Sequence, residues 1–398
     1  MLLFEVVRAG SLVVDGLVFW FVLRRLTRPG GVPGIITLGP VLAAVLATAV
    51  AFVVKMAPLV IAGLGLFGVF AFVYADLVVL IPAVGAAMIF LSTRRGPGGA
   101  ARLCMTRPVY ALALASLVLP AVGLYASVFE PRRLLLETAD VPVAPARLGQ
   151  AAVTIGVLAD LQTDGVTAHE HAAVDRLMAE SPDIILIPGD VFQGRASEYA
   201  AERGAMRDLL AKLHAPGGVF LVLGNCDSTT TIRDMIDGTA IRLLVNEIVR
   251  TRVGDRAITI GGVELDYAAA DARRIIDRLE GEPGDADVRI LVSHLPDSVL
   301  ALRPSSRVDL VVAGHTHGGQ VQLPLFGPPI TLSQVQRSVA AGGLHRHEGN
   351  SIYVSRGVGM ERHYAPRIRF LCPPEISVLH VGSTPADAAI ISPDAHKP

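Results

Sequence analysis

Four long runs without a single charge constrain this chain more than any other feature. No charged residue occurs from Pro29 to Val54, from Met56 to Ala75, from Leu77 to Thr93, or from Pro108 to Phe129. A helix needs about 20 apolar residues to cross the hydrocarbon core of a bilayer, so residues 1–130 are expected to form an α-helical transmembrane bundle. The whole chain carries the mark of it: 52% of its 398 residues are hydrophobic and its mean hydropathy is +0.51. Met56 to Leu91 is too long for one span, because at 1.5 Å per residue it would exceed about 50 Å. The pattern predicts four helices, at about 8–25, 36–56, 67–92 and 108–129, with a short interfacial piece after Lys55. A five-helix reading that splits at Asp76 is the alternative.

Arg24, Arg25 and Arg28 follow the first helix, and Arg94, Arg95, Arg102 and Arg107 fill the loop before the last. With four helices both groups fall on one side, which the excess of arginine makes cytoplasmic. Residues after 130 are then expected outside the cytoplasm, on a protein of the bacterial inner membrane. Arg132 and Arg133 pull the other way. Asp15 and Asp76 sit in or near apolar segments, where a carboxylate is either functional or a polar contact at a helix end.

Net charge is −1, without the basic excess of nucleic-acid binders. Cys104, Cys226 and Cys372 are far apart and form no CxxC pair, which argues against a structural zinc site or a disulfide scaffold. Residues 131–150, with Pro131, Pro142 and Pro145, read as a linker, and residues 383–398, rich in Ala, Pro and Asp, as a disordered tail.

Between them, from 151 to 382, short apolar runs alternate with charged helical stretches: "VTIGVLAD", "HEHAAVDRLMAE", "DIILIPGD", then "GVFLVLGN", "DARRIIDRLE", "VRILVSH" and "VDLVVAGH". That alternation predicts an α/β domain with buried strands. Five of the runs end in groups able to bind metal. They are Asp160 and Gln162, Asp190, Asn225, His294, and the pair His315 and His317. In α/β sheets functional groups gather at the carboxyl ends of strands. Singly each is as well explained by a helix cap or a structural histidine; five in one domain are not. Carboxylate, amide and imidazole together suit borderline divalent ions such as Mn, Fe or Zn. Gly189, Gly224 and Gly314 would let backbone approach the site closely.

The ordered set Asp, Gly-Asp, Gly-Asn, His, Gly-His-x-His resembles the calcineurin-like metallophosphoesterases, from about Val153 to Val381. "SRGVGMERHYAPRIRFLCPPEISVL" is similar to their membrane-associated bacterial branch, which includes phosphodiesterases and UDP-2,3-diacylglucosamine pyrophosphohydrolases. The resemblance implies a β-sandwich flanked by helices and two divalent metals. It implies Asp160 and His317 on the first metal, Asn225, His294 and His315 on the second, and Asp190 bridging. It also implies hydrolysis of a phosphodiester or pyrophosphate by metal-activated water, with a lipid-linked substrate such as UDP-2,3-diacylglucosamine as one candidate.

Two positions depart from that pattern. Gln162 stands where the first motif usually has His; an amide oxygen there either ligates more weakly or does not ligate. In "GNCD", Asn225, Cys226 and Asp227 meet at the expected catalytic point. Cys226 stands where many relatives have a His that contacts the phosphate. Nothing nearby in sequence serves as a base for the thiol, so Asn225 reads as ligand, Asp227 as a positioning group, and Cys226 as a missing imidazole. A missing acid matters most for a poor alkoxide leaving group, which favours diesters or pyrophosphates over alkyl monoesters.

His169, His171, Arg362, His363, Arg367 and Arg369 are weaker candidates, the arginines for a substrate phosphate. The apolar "LPLFGPP" is either a lip towards the membrane or a proline-rich turn. A rival reading is a membrane sensor or scaffold with a degenerate, weakly active site; transport lacks a polar series along the spans.

Overall fold

The computed structural model describes residues 65–95, 107–144, 152–281 and 287–382, residues 147 and 149, and isolated positions between 10 and 21. The chain divides into two compact units, Met1–Val128 with Glu361–Arg367, and Phe129–Met360 with Ile368–Pro398. The helix expected at 36–56, most of the one expected at 8–25, Asp15 and the tail after 382 lie outside the described residues.

Gly65–Thr93 and Val109–Arg132 are helices long and apolar enough to cross a membrane. The split at Asp76 does not occur. The helix instead widens into a π-turn over Asp76–Leu80 and continues to Thr93. A π-turn absorbs a local misfit without breaking the helical hydrogen-bond ladder. The Tyr74 hydroxyl donates to the Gly123 carbonyl at 2.8 Å, tying the two helices together.

The second unit is an α/β domain. Its strands are β1 Leu135–Val141, β2 Val153–Val157, β3 Ile184–Ile187, β4 Val219–Leu221, β5 Ile241–Leu243 and β6 Glu247–Val253. They continue with β7 Arg256–Gly262, β8 Val288–Val292, β9 Leu310–Ala313, β10 Gly343–His347, β11 Asn350–Val354 and β12 Glu375–Val381. Among the described residues they form two mixed six-stranded sheets, ordered β1-β12-β2-β3-β4-β5 and β10-β11-β9-β8-β7-β6. β2 to β5 run parallel, as do β7, β8, β9 and β11. Parallel strands are covered on both faces, which is why they read as unbroken apolar runs. One face of each sheet meets the other through Ile155, Ile184, Leu186, Val222, Ile260, Ile290 and Val312. The first sheet's outer face packs on Val174, Leu177, Met206, Leu209 and Met235 of its helices, and the second's on Ile275, Ile276 and Leu279.

The linker expected at 131–150 is corrected in part. Leu135–Val141 is an edge strand, parallel to β12, with Leu135 opposite Glu375 and Val141 opposite Val381. Its sequence LLETADV alternates half-buried and exposed positions, as an edge strand with one solvated face must. The prolines on either side limit the strand without excluding it, because at an edge one row of backbone groups needs no partner.

Candidate metal centre

Each expected ligand follows the carboxyl end of a strand: Asp160 and Gln162 after β2, Asp190 after β3, Asn225 after β4, His294 after β8, and His315 and His317 after β9. The two sheets therefore contribute to one place. Asp160, Asp190 and His294 are buried and each offers a ligand atom within 4.8 Å of the other two. The His294 Nε2 lies 3.4 Å from Asp190 Oδ2 and 2.9 Å from Asn225 Oδ1. The His315 Nδ1 lies 2.8 Å from the same Asn225 oxygen and 3.2 Å from His294 Nε2.

This triangle is electron-rich. His294 Nδ1 is 2.8 Å from the Pro188 carbonyl oxygen, which can only accept, so Nδ1 carries the proton and Nε2 the lone pair. That lone pair faces an amide oxygen and a carboxylate oxygen. Burial pushes the His294 ring down to about 4, and burial followed by the nearness of His294 does the same to His315. Both imidazoles are thus neutral at neutral pH. Ligand atoms bonded at about 2.1 Å to one cation sit roughly 3.0–3.4 Å apart, close to the 2.8–3.4 Å found here. A shared cation resolves the convergence of lone pairs, and the donor set fits one.

Beside this cluster, His317 is buried, and neither of its ring nitrogens has a hydrogen-bond partner. Its Nε2 lies 3.9 Å from Asp160 Oδ1. Burial first, and Asp190 second, raise the Asp160 carboxyl well above its usual range. A buried imidazole without partners next to two repelling carboxylates is also a donor set that fits a cation.

The backbone is bent to make this place. Asp160, Gln162, Asp190, His315 and His317 all have positive φ, between 39° and 70°. Non-glycine residues seldom adopt that region, and where they do the cost is tolerated at functional sites. A Cβ on Gly224 would lie 2.1 Å from Asp190 Oδ1, and one on Gly314 would lie 2.3 Å from Asp160 Oδ2. The Asp160 carboxylate accepts from the His315 N–H, and Asp190 Oδ1 from the Cys226 N–H at 2.7 Å.

Asp227 faces the protein backbone. Its carboxylate accepts from the N–H groups of Asp190, Val191 and Gly224 at 2.7–2.9 Å. Desolvation, and after it Asp190, push Asp227 up to about 6. These bonds lock the Gly-Asp and Gly-Asn turns together, which is the geometry of a positioning group. The Cys226 sulfur accepts from the Asn225 and Gln162 side-chain amides at 3.3 and 3.4 Å.

Arg369 is also corrected. It is fully buried and donates to the carbonyls of Arg356, Gly357, Gly359 and Cys372. It has no guanidinium edge to offer a phosphate. Arg362, His363 and Arg367 belong to the segment grouped with the first unit. His169 Nε2 meets the Val358 carbonyl oxygen at 3.1 Å, and His171 lies beside Lys212 on the exposed face of the helix Ala168–Ala179. Sequence reasoning missed Gln193, which is buried and 3.0 Å from the Gln162 amide; no spacing pattern marks it. It also missed Gly357 and Gly359. The Gly359 N–H donates to the Asp160 carbonyl at 2.7 Å, and the "GVG" run was the available signal.

Clustered oxygen and nitrogen donors of this kind define a candidate divalent-metal centre. Residues 153–319 match the calcineurin-like phosphoesterase family profile. The chain is 31% identical over 240 residues to the uncharacterized metallophosphoesterase YkuE of Bacillus subtilis, covering 57% of this chain and 74% of that protein. It is 28% identical over 209 residues to the phosphodiesterase YaeI of Escherichia coli, covering 51% and 71%. It spans about half of a Helicobacter pylori metallophosphoesterase to which it is 28% identical, covering 52% of this chain and 53% of that one. The chain belongs to the calcineurin-like metallophosphoesterases and is a metal-dependent hydrolase of the phosphoester class.

Proposed function

We propose that this chain is a membrane-bound, two-metal hydrolase of phosphodiester or pyrophosphate bonds, acting on a lipid-linked substrate outside the cytoplasm. The observation that carries the chemistry is the convergence of Asp190, Asn225, His294 and His315 on one point beside Asp160 and His317. Asp160, Gln162 and His317 would hold one divalent ion, Asn225, His294 and His315 a second, and Asp190 would serve both. Mn, Fe or Zn suits such mixed oxygen and nitrogen sets. When bound, the ions supply Lewis acidity towards phosphoryl oxygens and an activated water for in-line displacement.

The protein's own groups account for the rest. The Pro188 carbonyl holds the His294 tautomer, the Cys226 N–H orients Asp190, and Asp227 fixes the two turns that present Asp190 and Asn225. At the position of Cys226 there is no imidazole to hand a proton to a departing alkoxide. Groups that leave as stable anions need no such donor. The purified protein with Mn is therefore expected to cleave bis(p-nitrophenyl) phosphate faster than any alkyl phosphomonoester. A steady-state comparison with the order reversed sinks the diester reading. The Escherichia coli relative named a phosphodiesterase is in keeping with it.

The membrane part of the proposal rests on the helices Gly65–Thr93 and Val109–Arg132. The lipid part rests on the loop after His317, which is free of charge from Gly318 to Gln336 and exposes Leu323, Leu325, Phe326 and Leu332. The arginine distribution is what supports a catalytic unit outside the cytoplasm. A reporter that functions only outside the cytoplasm, fused after residue 135, is expected to be active; activity of a cytoplasm-only reporter at that point reverses the orientation.

A further inference from the structure

The loops that follow β2 and β3 are zipped together beyond the ends of the strands. The Gln162 N–H donates to the Asp190 carbonyl at 2.8 Å, the Thr163 N–H to Val191, and the Gln193 N–H returns to Thr163 at 2.9 Å. Thr163 and Phe192 form an isolated parallel bridge. This pairing brings the side chains of Gln162 and Gln193 to one side, both buried. There Gln162 Nε2 lies 3.0 Å from Gln193 Oε1 and 3.4 Å from Cys226 Sγ.

An amide nitrogen has two hydrogens. Gln193 Oε1 and Cys226 Sγ are two acceptors within its reach. The terminal torsion of a glutamine is broad and two-fold, so packing does little to distinguish oxygen from nitrogen. In this structure the nitrogen is the atom that faces Gln193 Oε1 and Cys226 Sγ. With Nε2 committed to Gln193 and Cys226, the opposite edge of the planar amide presents Oε1. An oxygen lone pair attracts a cation, whereas an amide N–H repels it.

We propose that Gln193 is a positioning residue for the cation site formed by Asp160, Gln162 and His317, acting by fixing the amide of Gln162 so that its oxygen is the ligand. Cys226 assists as the second acceptor, which gives the thiol a role without covalent chemistry. The same arrangement sets ion preference. An amide oxygen makes this site richer in hard oxygen donors than the site of Asn225, His294 and His315, so it favours Mn over Zn more strongly than its neighbour does. The inference rests on the reading that Gln162 ligates.

The test is calorimetric titration of MnCl2 into the chelator-stripped full chain in detergent, which requires no turnover. Wild type is expected to bind two ions per chain. Partners that orient a metal ligand are worth about 10–100-fold in affinity. Gln193→Met, similar in length but without the acceptor oxygen, is expected to weaken one site by about 10–100-fold and leave the other unchanged. Gln193→Glu keeps the acceptor and is expected to retain both. Gln162→Leu is expected to lose the same site that Gln193→Met weakens, and Gln162→His to tighten it and shift it towards Zn. If Gln162→Leu and Gln162→His both bind as wild type, Gln162 is no ligand and the underlying reading fails. If Gln162→Leu loses a site while Gln193→Met does not, only the role of Gln193 is overturned. Loss of both sites in Gln193→Met also overturns it, because Gln193 then holds the fold and not one ligand.

Discussion

Asp190→Ala is expected to lower kcat/KM for any phosphodiester substrate by at least about 10³-fold, comparable to or beyond the loss on deleting one transition-state contact. It should also lower the Mn content from two ions per chain to one or none. The carboxylate lies beside ligand atoms of both proposed sites: Asp190 Oδ2 lies 3.4 Å from His294 Nε2, and Asp190, Asp160 and His294 offer ligand atoms mutually within 4.8 Å. Asp227 cannot take its place, because its carboxylate is committed to three backbone N–H groups.

Stability should move little or in the opposite direction. Asp190 is the second cause, after loss of solvent, of the raised carboxyls of Asp160 and Asp227. Removing its charge relieves that repulsion in the metal-free protein. An enzyme that trades stability for function at its active site behaves in this way. The chelated variant is therefore expected to melt no lower than the chelated wild type. Hydrolysis by Asp190→Ala at the wild-type rate would falsify the placement of chemistry at this centre. A wild type that binds two ions yet turns over no phosphoester would favour the sensor reading that Gln162 and Cys226 suggest.

The candidate residues were legible because they interrupt something regular. Buried parallel strands are apolar without relief, so Asp160, Asp190, Asn225, His294 and His315 stand out where those runs stop. The geometry of their meeting was not legible. It depends on two sheets meeting face to face and on φ values near +50° at Asp160, Asp190 and His317, which no propensity at those residues announces. β1 was hidden for a different reason. An edge strand with a solvated face carries Glu137, Thr138 and Asp140, and prolines nearby gave it the composition of a linker. Gln193 illustrates a third kind of blindness. Its meaning lies wholly in a contact with a side chain 31 positions away.

Arg369 was misread from its neighbours, and it yields the largest stability effect expected here. "PRIRF" looks like a basic surface patch, yet Arg369 is fully buried and its guanidinium serves four backbone carbonyls. Three of those carbonyls belong to Arg356, Gly357 and Gly359. The same loop sends the N–H groups of Val358 and Gly359 to the carbonyls of Ala159 and Asp160. Arg369 thus holds the shelf on which Asp160 rests. Arg369→Met leaves those carbonyls buried and unmet, at about 1–3 kcal/mol apiece before relaxation. A net loss of about 3 kcal/mol or more is expected, or roughly 6–12 °C in Tm for a unit of this size. Lysine should rescue little, since its three donors cannot span a planar fan of four acceptors. Because the shelf carries Asp160, the first cation should also bind more weakly in Arg369→Met at temperatures well below its Tm. A melting point within about 2 °C of wild type would mean that the loop is held by other contacts and that Arg369 is available for a different task.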